Sequence, residues 1–148
     1  MRALDGLAGT WDLEAVFPAN PDQVLRGGQT YFEWLQGRNV LIQRTPSPAA
    51  EVPESIALMT ADDETGGFRQ HYFDSRGVAR LYAMTLRDGT WTLLRESADF
   101  SPLAFAQRFR GTFEDGGRTI RGFWEKRDPG GDWAKDFDLI YRKADERT

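Results

Sequence analysis

The sequence contains no cysteine and a single histidine. The first absence excludes disulfides, thiolate metal sites and cysteine nucleophiles. The second leaves no histidine cluster for a metal, and no metal site is expected. Lysine is scarce too: Lys126, Lys135 and Lys143 are the only three, so positive charge rests on arginine. Nor is there an excess of that charge. The net charge of −4 gives no general attraction to nucleic acid or anionic lipid. No apolar run approaches a membrane-spanning length, and "MRALDGLAGTW" lacks the apolar core of a signal peptide. The expectation is a soluble cytoplasmic protein, monomer or homodimer, with no nucleic-acid partner and no membrane insertion. There is no phosphate loop and no Gly-x-Ser-x-Gly. "DDETGG", Asp62 to Gly67, carries three carboxylates without EF-hand spacing and reads as a hairpin turn. Nothing in the sequence names a cofactor.

What is present is alternation. With 148 residues, the chain is read as one domain, 1–148. "TWDLEAVF" sets Trp11, Leu13, Ala15 and Phe17 against Asp12 and Glu14. "FAQRFRGTFE" sets Phe105, Phe109 and Phe113 against Arg108, Arg110 and Glu114. Period two means strands with one buried and one wet face. Ten strands are drawn, near 9–17, 26–35, 38–44, 55–61, 67–74, 78–86, 89–97, 105–115, 118–128 and 132–142. Only "ALDGLAG" suits a helical turn.

If each strand pairs with the next, the turns alternate between two ends. "QGR", "DDETGG", "RDG" and "EDGG" are tight and Gly-rich, as short hairpins require. The opposite end holds the longer loops, their prolines and exposed apolar groups. A twisted ten-stranded antiparallel sheet closes on itself to remove its free edges. The predicted fold is therefore all-β: a single up-and-down antiparallel barrel of about ten strands, shaped as a cup.

"LAGTWDLE" resembles the Gly-x-Trp signature of the calycin superfamily, which includes lipocalins, fatty-acid-binding proteins and nitrobindin-like barrels; Gly9 and Trp11 are the matching positions. The resemblance implies a lipocalin-like barrel whose tryptophan packs under an arginine near the end of the last strand, here Arg142. "FEWLQGRNVLIQR", "HYFDSRGVARLY", "QRFRGTF" and "FDLIYRK" are similar to small bacterial calycin-like proteins of domain-of-unknown-function type. Two departures matter. The first loop has no room for the helix pair of fatty-acid-binding proteins. The late strands hold no histidine to match the haem ligand of nitrobindin-like proteins. Neither function transfers.

Taking the apolar-richer face of each strand as inward carries several polar groups inside. Arg44 goes with Val40 and Ile42, Arg80 with Tyr82 and Met84, and Arg95 with Trp91 and Leu93. Gln107 lies between Phe105 and Phe109, and Lys135 between Trp133 and Phe137. The meander sets all five near the open mouth. An inward cation needs a partner. Glu33 and Asp74 are internal choices; a bound anion is the other, and arginine's planar fork suits a carboxylate. Rings beneath (Trp91, Tyr82, Phe109, Phe137, Tyr141) would hold an apolar body.

"QHYFDSRG" contains the one histidine, His71, on a strand without clear parity. Asp74 and Gly77 make good turn chemistry by themselves. The leading functional reading is a binding protein for a small apolar or amphiphilic ligand carrying an acid group. Its alternatives are a proton-transfer enzyme (an isomerase, cyclase or lyase) using His71, Glu33 or Tyr82, and a haem or other tetrapyrrole cavity with His71 or a tyrosine as ligand.

Overall fold

The computed structural model describes residues 1–50, 52–100 and 102–144. A 3-10 turn, Arg2–Leu7, precedes ten strands. These are β1 (Gly9–Val16), β2 (Leu25–Trp34), β3 (Leu41–Thr45), β4 (Ser55–Asp62), β5 (Gly67–Asp74), β6 (Ala79–Arg87), β7 (Thr90–Arg95), β8 (Ala106–Glu114), β9 (Thr119–Arg127) and β10 (Ala134–Lys143). Each pairs antiparallel with the next, and β1 pairs with β10, so the sheet is a closed up-and-down barrel. Closure satisfies the backbone groups of both terminal strands, which an open sheet would leave bare.

The short turns gather at one end. Between β6 and β7 only Asp88 and Gly89 intervene, both at positive φ (53° and 73°), as a two-residue type I′ hairpin requires. The longer connections gather at the other end and form the rim.

The narrow end is sealed by side chains. Leu4 and Leu7 of the 3-10 turn are fully buried, and the Trp11 indole N–H donates to the Leu7 carbonyl at 2.8 Å. The cation over Trp11 is not Arg142. The β1–β10 register sets Trp11 opposite Lys143, whose Nζ lies 4.7 Å from the Trp11 ring centroid and donates to the Ala8 carbonyl. Arg142, one residue earlier, points outward and pairs with Glu14 at 2.7 Å. A period of two decides this: adjacent strand residues cannot share a face.

Above that plug lies an aromatic layer. Phe109 packs against Trp91, Trp124 and Tyr141, with ring centroids 5.0, 5.3 and 6.3 Å away. Two strand glycines make the room. A Cβ at position 122 would stand 2.5 Å from the Phe109 ring, and one at 111 would stand 2.9 Å from it. This layer is the floor of the space above.

Candidate functional site: the barrel cavity

Between the aromatic floor and the open rim lies a cavity of about 250 Å³. One wall, from β3, β4 and β5, is polar but uncharged: Gln43, Thr45, Ser55, Gln70 and Tyr72. The facing wall is apolar, with Leu13, Leu93, Trp124, Phe137, Leu139 and Tyr141 over Trp91. Between them β6 and β8 contribute Arg80, Tyr82 and Gln107.

These three residues form one cluster. Arg80 Nη1 and the Tyr82 hydroxyl both donate to Gln107 Oε1, each at 3.0 Å. A carbonyl oxygen has two lone pairs, so two donors fill it and fix the amide's orientation. Gln107 then has only N–H groups left to offer. Arg80 keeps most of its five N–H groups and forms no ion pair with any described residue; the Phe105 ring lies 5.6 Å from the guanidinium carbon. Burial raises the Tyr82 hydroxyl pKa, partly offset by Arg80. The cluster therefore presents donors, without an acceptor of negative charge.

The remaining expected site residues divide by face. Tyr82, Trp91, Phe137, Arg80 and Gln107 line the cavity. Phe109 is not in the lining; its ring packs behind Trp91, Trp124 and Tyr141 within the aromatic layer. Arg95 faces inward but is already partnered. Its fork meets both carboxylate oxygens of Asp99 at 2.9 Å, with side-chain exposures of 3% and 6%.

Arg44 and Lys135 are corrections. In β3 it is Leu41, Gln43 and Thr45 that point inward; Arg44 lies on the outer wall, paired with Glu33 at 3.0 Å. Apolar residues on both faces of this short strand hid its parity, because Ile42 is buried on the outer side. In β10 the register shifts between Lys135 and Phe137, a bulge that flips every residue before it. Lys135 consequently points out, bonding Asp138 at 3.0 Å. Trp133, just before the strand, lies outside beneath Arg108 and Arg127.

His71 and Glu33 are also outside. Phe68, Gln70 and Tyr72 take the inner face of β5, so His71 sits on the outer wall between its cross-strand neighbours Leu58 and Leu81. Neither residue can act on a molecule in the cavity. The "DSRG" turn instead shapes the rim. Asp74, with no side-chain exposure, accepts from the Tyr72 hydroxyl (2.9 Å), from Arg76 Nη2 (2.7 Å) and from the Arg76 backbone N–H (2.9 Å). Burial alone would raise its pKa, but these donors outweigh burial and hold it at about 2. Burial, with Asp74 beside it, pushes Tyr72 up to about 12.

Sequence reasoning did not single out Gln70, Ser55 or Trp124. Gln70 shares parity with Phe68 and Tyr72, and Trp124 with Ile120 and Gly122. That signal was available once the inner face of one partner strand was known.

No family model and no curated protein matches the chain. Among solved structures it is similar to the crystal structure of Rv2717c from M. tuberculosis, with a TM-score of 0.60 and 13% sequence identity, covering 97% of this chain and 96% of that one. At that identity the likeness concerns the barrel fold alone. Among the described residues, no helix is long and apolar enough to cross a membrane.

Proposed function

We propose that the barrel binds a small molecule with an apolar body and an acid group, the acid held by Arg80 and Gln107. The observation that carries this reading is Arg80 itself: a cation lining a mostly apolar cavity with no carboxylate partner among the described residues. The charge is half-buried at the cavity mouth, where its planar fork suits a carboxylate. The facing wall of Trp124, Phe137 and Leu139 supplies apolar contact for the body. Size supports a modest ligand. A cavity of about 150 Å³ accepts benzene, and 250 Å³ has room for one or two rings.

Retention is better supported than turnover. No carboxylate and no imidazole lines the cavity among the described residues, and its phenols hold their protons more tightly than usual. Proton transfer would lack a carboxylate or imidazole base there; for a tetrapyrrole the lining tyrosines Tyr72, Tyr82 and Tyr141 offer oxygen ligands, but about 250 Å³ is too small for the macrocycle.

Native mass spectrometry of untreated protein tests for a co-purified acid. Titration with 2-naphthoate and its methyl ester tests the recognition. Arg80→Met should weaken the acid about tenfold or more, as expected for charged hydrogen bonds, and leave the ester unchanged. Arg44→Met, on the outer wall, should change neither. Equal loss of acid and ester would defeat the reading.

A further inference from the structure

Gln70 is 4% exposed, and its amide oxygen has no hydrogen-bond partner. It stands on the uncharged wall of the cavity, in mid-β5. A buried acceptor left unpaired is destabilising, so natural proteins supply it with a donor. Here no described group does: three polar neighbours on the wall are engaged elsewhere, and the unpartnered Trp91 indole N–H, lining the same cavity, does not reach it. Gln43 bonds Thr30 at 3.1 Å, Thr45 shares a 2.7 Å bond with Thr30, and the Tyr72 hydroxyl is turned to Asp74. The open space next to Gln70 is the cavity. The terminal amide torsion is broad, so turning the oxygen toward a donor there is cheap.

The register gives the separation from the acid site. Gln70 pairs with Tyr82, and Tyr72 pairs with Arg80. Gln70 is therefore two residues deeper than the Arg80 level, about 7 Å at roughly 3.4 Å per residue. A benzene ring bearing a carboxylate at one end and a hydroxyl at the other spans a comparable distance. The apolar wall opposite would face the ring.

Resting on the acid-binding reading above, we propose that the ligand class is hydroxylated aryl acids: carboxylate on Arg80 and Gln107 near the mouth, phenolic hydroxyl donating to Gln70 Oε1 below. This claim narrows the ligand from any amphiphilic acid to one with a donor at its inner end.

The test uses two matched pairs, benzoate against 4-hydroxybenzoate and 2-naphthoate against 6-hydroxy-2-naphthoate, titrated calorimetrically into the full chain. The hydroxylated member of at least one pair should bind about tenfold more tightly, the size of one buried hydrogen bond to an otherwise unpaired group. In Gln70→Leu that preference should vanish, whatever the change in affinity for the plain acid, because the comparison is made within each pair in the same variant. Gln70→Met serves the same purpose should the leucine variant not fold. Equal affinities within both pairs in the unmodified protein would overturn the assignment to Gln70 while leaving acid binding intact. A preference that survives both substitutions would overturn it too. Failure of all four acids to bind would remove the acid-binding reading and this inference together.

Discussion

Arg95 and Asp99 lock together inside the barrel wall, two parallel 2.9 Å hydrogen bonds between side chains that are almost completely buried. One Asp99 oxygen also accepts the Leu81 backbone N–H at 2.7 Å, just beyond Ala83↔Leu94, the last pair of the β6–β7 ladder toward the rim. The carboxylate thus substitutes for a missing strand partner and ties the rim loop to β6. Removing only the acid would strand a buried guanidinium. Asp99→Leu should therefore cost about 3–5 kcal/mol, whereas the double variant Arg95→Met/Asp99→Leu should recover most of that loss. Urea denaturation of the three proteins decides it. A single variant within about 1 kcal/mol of the parent would show that water reaches Arg95 and that the pair is not a lock.

The floor depends on the absence of a side chain. Gly122→Ala places a methyl group into the Phe109 ring with the Leu139 carbonyl on its other side. Overpacking of this kind costs about 1–3 kcal/mol. Phe109→Leu should lose stability alone yet partly relieve Gly122→Ala, giving a coupling term in the double-mutant cycle. Additive losses would mean that the backbone, not the ring, limits position 122.

The barrel was legible in the sequence because each strand buries one face only, and period two records that directly. The turns recorded which end is closed. What failed was parity where another feature interrupts it. β3 is five residues long with buried apolar groups on both faces. In β10 the bulge before Phe137 shifts the register, so counting from Trp133 gives the wrong face to Lys135. The partner of Arg95 was illegible for another reason. Asp99 belongs to the rim loop, and only the folded course of that loop returns it to the wall.

Asp74 predicts an acid limb. Its folded pKa is about 2, below the ordinary carboxylate value of about 4 in an unfolded chain. A depressed carboxylate contributes stability that is present above about pH 4 and is lost as pH falls through the folded value. Stability should therefore decline between about pH 4 and pH 2. Asp74→Asn should flatten that part of the profile and lower stability at pH 7, since it removes the charge facing Arg76 and weakens the turn. Melting curves across this range are the check. An unchanged acid limb in the variant would place the titrating group elsewhere.

Gln107 decides what Arg80 is free to bind. Its amide oxygen takes one guanidinium N–H and leaves the charge unneutralised. Gln107→Glu keeps the shape and puts a carboxylate at 3.0 Å from Arg80 Nη1, within ion-pair distance. The protein then supplies its own anion in the place that the proposed ligand's carboxylate would take. Affinity for 2-naphthoate should fall about tenfold or more, by loss of the charged hydrogen bonds and by repulsion between like charges. The methyl ester should bind as before, and the melting temperature should hold or rise, because Tyr82 can still donate to the new carboxylate. Tyr82→Phe makes the contrast. It removes one of the two donors that orient the amide, so acid binding should weaken less and the ester should again be unaffected. Undiminished binding of 2-naphthoate by Gln107→Glu would mean that the acid does not sit at Arg80.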